Sequence, residues 1–176
     1  LSLRGYSIDD LVNHAQAEDR FGYEEVAYLL LTGSLPNKEE LEGFCERLRA
    51  FRHLSGDYIH EFPLTTPSKS IMNTLARAVL LLYRFDAEPD EISPEHEIDV
   101  AMSMIARLPR IAALAHMARV AQREGRLPQI PQPSPDLSTA ESVLQVLRGG
   151  DDFTHDEAML LDVMMMLHAE HGGGNN

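Results

Sequence analysis

Thr154-His-Asp-Glu-Ala-Met-Leu-Leu-Asp-Val-Met-Met-Met-Leu-His-Ala-Glu-His-Gly-Gly-Gly-Asn-Asn176 is the stretch from which the rest of this chain is read. Thr154 with Glu157 three positions on has the form of a capping box, in which a hydroxyl and a carboxylate satisfy the first free amides of a helix. From Met159 to Leu167 eight of nine residues are apolar, and only Asp162 is not. A helix apolar around its circumference is predicted to be buried on most sides, with cover supplied by a further part of the chain, a second subunit or both. It ends on two histidines, His168 and His171, followed by Gly172, Gly173 and Gly174, which leave room for another group to come close. Titratable side chains at the end of a buried helix predict a ligand site. Because the sequence stops within that feature, part of a longer chain is expected.

His168 and His171 are three apart and so share one helical face. One reading is a metal pair. Zinc needs at least three protein ligands, however, and neither a third ligand at fitting spacing nor a His-Glu-x-x-His motif is present. A second reading is a site for a small organic anion. The dipole at a helix C-terminus favours the imidazolium, and imidazole can donate a hydrogen bond to a carbonyl or carboxylate. A third reading is an ordinary helix end whose glycines only turn the chain. The residues alone leave the last two open.

Working outward, the chain has 176 residues, enough for one domain or part of a larger one. Hydrophobic residues make up 44% and aromatics 6%, with no Trp, so the core must rest on aliphatic residues and the eight Met. The net charge of −13 argues against a general nucleic-acid or anionic-membrane surface, but not against a small anion held by a few local donors. The single cysteine, Cys45, allows no internal disulfide and fits a reducing compartment. No run of 18 apolar residues predicts a membrane span, and Leu1-Ser-Leu-Arg4 lacks the features of a signal peptide.

Helix signals dominate. Ser7-Ile-Asp-Asp10 resembles a capping box opening a helix to about His14. Phe21 to Thr32 carries Val26, Leu29 and Leu30 and stops at Gly33, a residue that takes the left-handed C-cap conformation cheaply. Asn37 with Glu40 starts a helix to about His53, with Leu41, Phe44, Cys45, Leu48 and Phe51 on one face. Pro63 and Pro67 bracket a loop. Ser68 to Arg84 reads as a helix. Ser93-Pro94-Glu95 opens another reaching about Arg123, which Pro109 should kink. Residues 124–137 hold four prolines and read as an extended loop, and Ser138 with Glu141 starts a helix ending at Gly149. Any β element is expected to be minor, near Leu1-Ser-Leu-Arg4. The apolar helices 68–84 and 95–123 predict self-association.

Other candidates are weaker. His14, His53, His60, His96 and His155 lie in polar surroundings, where most are expected to be exposed. His116, within an apolar helix, is expected in the core. Cys45 is expected to be a buried, inert thiol. The acids of Asp86 to Asp99 lack the calcium-loop pattern, and the terminal glycines lack the spacing of a dinucleotide or phosphate loop.

Taken in order, several segments resemble one family. Arg4-Gly-Tyr6-Ser-Ile-Asp-Asp-Leu11 and Tyr23-Glu-Glu-Val-Ala-Tyr-Leu-Leu-Leu31-Thr-Gly33-Ser-Leu-Pro36 look like the N-terminal region of citrate synthases. Arg107-Leu-Pro109-Arg-Ile-Ala-Ala113, Ala140-Glu-Ser-Val-Leu144 and Leu167-His-Ala-Glu-His171 follow in the order that family has, the last matching its His-Ala-Asp/Glu-His segment. Many members carry Glu where this chain has Gly172, and a His-Pro pair where it has Pro67-Ser68-Lys69, which bears on the subgroup.

The resemblance implies an all-α, multi-helical fold in which residues 1–176 form the N-terminal portion of the large domain, with the small domain and the C-terminal part absent. It implies condensation of acetyl-CoA with oxaloacetate to citrate and CoA, with acetyl-CoA as a substrate and no cofactor, in a cytoplasmic homodimer. By the same resemblance His171 binds oxaloacetate, His168 and Asn175 support the site from behind or beside it, and no catalytic residue or metal ligand lies within 1–176. The chain alone is then expected to be inactive. The alternatives are a 2-methylcitrate synthase using propionyl-CoA, and a non-enzymatic helical interaction module.

Overall fold

Polar residues at the helix starts fix the architecture. In the computed structural model, which describes residues 1–61, 68–126, 130–131 and 134–170, eight α-helices follow a small hairpin. The hairpin pairs β1 (Ser2–Leu3) with β2 (Tyr6–Ser7) in antiparallel register, Ser2 opposite Ser7 and Leu3 opposite Tyr6. It lies where a minor β element was expected. After it come α1 (Ile8–Ala17), α2 (Tyr23–Thr32), α3 (Lys38–Phe51), α4 (Gly56–Glu61), α5 (Ile71–Leu82), α6 (Pro94–Glu124), α7 (Thr139–Arg148) and α8 (His155–Leu167).

Three of the four expected capping boxes form. Asn37, Ser138 and Thr154 each accept from the third helical amide, while Glu40, Glu141 and Glu157 reach back to the cap. The fourth, at Ser7, does not. Its backbone is committed to the hairpin and its side chain makes no capping bond. Gly33 ends α2 at φ +89°, its amide donating to the Leu29 carbonyl at 2.8 Å, as a glycine C-cap requires. Ser93 caps α6 with Pro94 in the first position, and the helix runs on through Pro109.

α4 had no counterpart in the sequence reading. Six residues are too few to show a periodicity, but Ser55 Oγ accepts from the Tyr58 amide at 3.1 Å and supplies its start. Tyr58 is buried and its hydroxyl donates to the Ala78 carbonyl at 3.1 Å, tying α4 to α5. The loop expected between Pro63 and Pro67, and Pro128 and Pro133 of the proline-rich loop, lie outside the described residues.

The core has three parts joined by two helices. One gathers the hairpin, α1, α2 and α8 around Leu3, Ile8, Leu11, Val26, Leu29 and Met166. A second joins α2, α3 and α6 through Ala27, Phe44, Leu48, Met102 and Ala106. A third packs α4, α5, α6 and α7 around Tyr58, Ala78, Ile111, Leu114 and Val146. α2 thus belongs to the first two parts and α6 to the last two.

Within the described residues α8 is covered along one stripe: Ala158, Asp162 and Met166 face the interior, whereas Leu160, Met164 and Leu167 are 65%, 49% and 45% exposed. α1, α2 and α7 pack against it and bury the stripe spaced i, i+4, i+8. One burial expectation is corrected: His116 is exposed, because α6 turns the positions on either side of it, Ala115 and Met117, inward. Cys45 is half-buried, and burial pushes its thiol up to about 11, which keeps it a poor nucleophile.

Candidate functional site

The C-terminal end of α8 carries His168, one of the two histidines singled out by sequence. A buried carboxylate holds this helix in place. Asp162, the one polar residue of the apolar run, is 1% exposed. Its Oδ2 accepts from the Gly22 amide at 2.7 Å and its Oδ1 from the Tyr23 amide at 3.2 Å. These amides are the first of α2 and have no acceptor within that helix, so a side chain from a helix 140 residues away caps it. The negative charge also meets the positive end of the α2 dipole. Burial nevertheless pushes the Asp162 carboxyl up to about 6, against the lowering effect of the two amide bonds.

One turn further, Met166 is fully buried under Gly22. A Cβ at Gly22 would stand 2.7 Å from Met166 Sδ and 3.0 Å from the Ala15 methyl, so glycine is what lets α8 approach α2 this closely. Ala169 continues the contact against the hairpin, α1 and α2. Asp162, Met166 and Ala169 therefore fix both the position and the rotation of α8.

His168 is the C-cap residue of α8 and is exposed. Its Nδ1 lies 2.7 Å from the Met164 carbonyl, which can only accept, so Nδ1 carries a proton and donates. Nε2 is then the ring nitrogen not engaged among the described residues, an acceptor in the neutral ring and a donor in the charged one. His168 is about 9 Å along the helix axis from Asp162, six residues at about 1.5 Å each. His171 and Asn175 lie outside the described residues, as do Gly172, Gly173 and Gly174. Among the described residues no three His, Cys, Asp or Glu side chains are grouped to hold a metal ion.

A second concave feature was missed by sequence reasoning. A cleft of about 510 Å³ opens between α5, the acidic turn after it and the start of α6, lined in part by Phe51, Tyr83, Asp86, His96, Ser103 and Arg107. His96 Nε2 approaches Asp86 Oδ2 at 3.8 Å, too far for a hydrogen bond, and no catalytic dyad is assembled there. Arg107 donates from Nε to the Phe51 carbonyl at 2.9 Å, satisfying the last turn of α3. Its place in the Arg107-Leu-Pro109 motif is thus explained by structure.

Buried charges at the junction of α2, α3, α6 and α7 were also missed. Glu24, Arg52 and Arg110 are 6%, 3% and 2% exposed. Glu24 Oε1 accepts from the Thr139 amide at 2.7 Å, and Arg52 donates to the Leu137 carbonyl at 2.6 Å and to Thr139 Oγ1 at 3.3 Å. Arg110 donates to the Pro131 carbonyl at 2.8 Å. Together they fasten the proline-rich connection and the start of α7 to the helices beneath.

The helix order with the hairpin at its head is the fold of citrate synthases. The structure of citrate synthase from Pyrobaculum aerophilum superposes with a TM-score of 0.78 at 26% identity, covering 96% of this chain and 41% of that one. The Thermoplasma acidophilum enzyme, in a ternary complex of carboxymethyl coenzyme A and oxaloacetate with citrate synthase, gives 0.75 at 24% identity, covering 97% of this chain and 41% of that one. In sequence, residues 1–176 match the family described as citrate synthase, C-terminal domain. Citrate synthase from Acidithiobacillus ferridurans is 35% identical over 97% of this chain and 42% of its own length, and 2-methylcitrate synthase 1 from Corynebacterium glutamicum is 29% identical over 97% and 43%. The chain therefore belongs to the citrate synthase family. It spans about two fifths of the length of the relatives it matches.

Proposed function

We propose that residues 1–176 are an N-terminal portion of the large helical domain of a citrate synthase, and that the whole protein condenses acetyl-CoA with oxaloacetate to give citrate and CoA. The observation that carries this reading is the end of α8. A helix pinned at Asp162 and Met166 carries His168 at its C-terminal cap, three positions before His171 in the sequence. In this proposal His171 hydrogen-bonds oxaloacetate, Asn175 lies beside it, and His168 supports the turn through its bond to Met164. The name of the Thermoplasma acidophilum complex, which contains oxaloacetate and a coenzyme A analogue, supports the ligand class. The groups that move protons during condensation would be supplied from outside residues 1–176.

A second acyl specificity has support of its own, since a 2-methylcitrate synthase matches nearly as well as the citrate synthases. That enzyme class takes a propionyl group where the other takes an acetyl. Self-association into a homodimer fits the exposed apolar residues of α5, Met72 and Leu80 at 73% and 76%. A cytoplasmic location is proposed with it; no described helix is long and apolar enough to cross a membrane.

Release of the CoA thiol in the presence of oxaloacetate tests the proposal. The intact protein is expected to turn over acetyl-CoA, with kcat/KM at least about tenfold above that for propionyl-CoA, the discrimination one methylene can supply. The 176 residues alone are expected to give no turnover. A preference for propionyl-CoA would assign the second specificity, and turnover by the 176 residues at the intact rate would refute their assignment as a partial site.

A further inference from the structure

The joint between α2 and α8 is made from both sides by groups with little freedom to move. On the α8 side Asp162 and Met166 are buried, one helical turn apart on the same face. Asp162 accepts from the Gly22 and Tyr23 amides at 2.7 and 3.2 Å, so its carboxylate is aimed at two backbone donors at once. On the α2 side the first turn is held from two further directions. Glu24 Oε1 accepts from the Thr139 amide of α7 at 2.7 Å, and Glu25 takes the Arg20 guanidinium at 3.1 Å. Gly22, without a side chain, sets how near the two helices come.

That joint lies close along the chain to the histidine assigned to oxaloacetate. The amides of His168 and Ala169 donate to the Met165 and Met166 carbonyls at 3.2 and 3.3 Å, which carries the frame of α8 as far as Ala169. Ala169 packs against the same part of the core as Met166. His171 is two residues further, and two residues in any conformation reach at most about 7 Å. A shift of α8 therefore moves the point from which the chain departs toward His171. Hydrogen bonds weaken steeply away from their preferred distance and angle, and a binding constellation must be held within about 0.5 Å to keep its affinity.

We propose that Asp162 is a positioning residue for oxaloacetate: its two bonds to the start of α2 set the place of α8, and so the place from which His171 reaches the substrate. This rests on the role given to His171 under the proposed function, and adds to it a residue that acts from inside the core. An apolar side chain would fill the same space without burying a charge, but packing alone would then set the rotation of α8 about its axis. The carboxylate adds direction, because it meets both amides in one orientation of the helix only.

Steady-state kinetics of the intact protein, with the acyl-CoA it turns over, test this at about pH 8. There the Asp162 carboxyl, which titrates at about 6, is ionised, and the stability gap to Asp162→Asn is smallest. Asp162→Asn turns one acceptor into a donor facing an amide. It is expected to raise KM for oxaloacetate roughly 3- to 10-fold, the range by which residues without ligand contact alter binding. KM for the acyl-CoA and kcat should stay within about twofold. Tyr58→Phe, which removes the bond from α4 to the Ala78 carbonyl of α5, is the control for lost stability and should leave KM for oxaloacetate unchanged. If Asp162→Asn does not fold, Gly22→Ala tests the same joint from the other helix, since its Cβ would stand 2.7 Å from Met166 Sδ; a rise of at least about threefold is expected. An unchanged KM for oxaloacetate in the folded variant, equal rises for both substrates, or the same rise in Tyr58→Phe would overturn the proposal and leave the proposed function standing. No turnover of oxaloacetate by the unaltered protein would refute the proposed function and this proposal with it.

Discussion

Asp162→Asn is expected to destabilise the protein by about 2 kcal/mol near pH 4.5, a fall in thermal midpoint of roughly 4–8 °C for a chain of this size. The amide keeps the shape but not the chemistry. One side-chain oxygen can still accept from Gly22 or Tyr23, while the new NH₂ faces the other amide, donor against donor; the hydroxyl of the protonated acid, by contrast, keeps a lone pair for that amide and can turn its proton away. The pH dependence has a defined sign. Asp162 titrates at about 6 in the fold and near 3.9 in an unfolded chain. Between those values the folded state binds a proton that the unfolded state has released. The stability this group contributes is therefore complete below about pH 4 and is lost as pH rises through 6, by up to about 3 kcal/mol. The gap between parent and variant should be widest in acid and shrink toward pH 7.5. Urea unfolding at several pH values reads it directly. A gap that widens with rising pH would mean that Asp162 behaves as an ordinary stabilising carboxylate, and that its burial is not the dominant influence.

Arg52→Met should cost more, about 3 kcal/mol, because it strips donors from the Leu137 carbonyl and Thr139 Oγ1 and takes the attraction of the Arg52 charge away from the buried Glu24. Glu24→Gln in the same background removes that buried charge while keeping an oxygen for the Thr139 amide. The double variant is expected to recover at least about 1 kcal/mol relative to the sum of the single losses, the size of coupling found between residues of one network. Strict additivity would show that the two residues act independently across the α2–α7 junction.

Local chemistry was the legible part of this protein. Asn37, Ser138 and Thr154 declared their helices because capping depends on residues three apart, and Gly33 declared a stop because only its own φ is involved. Ser7 misled for the opposite reason. A long-range demand, the hairpin pairing with Ser2, outweighed a local cap. The ordered segments that resemble citrate synthases agree with the family match across residues 1–176.

Tertiary partners were not legible. Asp162 stood out as the one polar residue in an apolar run, yet nothing near it in sequence names the Gly22 and Tyr23 amides as its partners. Arg110 sits in a motif whose pattern says helix, not that its charge is sealed inside. The apolar circumference of α8 predicted cover, which within the described residues α1, α2 and α7 supply along one stripe. Periodicity reports which faces are apolar; what lies against them depends on elements far away in sequence.

In the proposed function His171, four positions past the end of α8 in sequence, hydrogen-bonds oxaloacetate. Calorimetric titration of oxaloacetate into the intact protein and its His171→Ala and His168→Ala variants tests it most directly. The predicted result is clear binding by the parent, roughly 10- to 100-fold weaker binding for His171→Ala, the worth of one hydrogen bond to a charged group, and a change within about threefold for His168→Ala. Unaltered affinity in His171→Ala, or no binding by the intact protein, would contradict it.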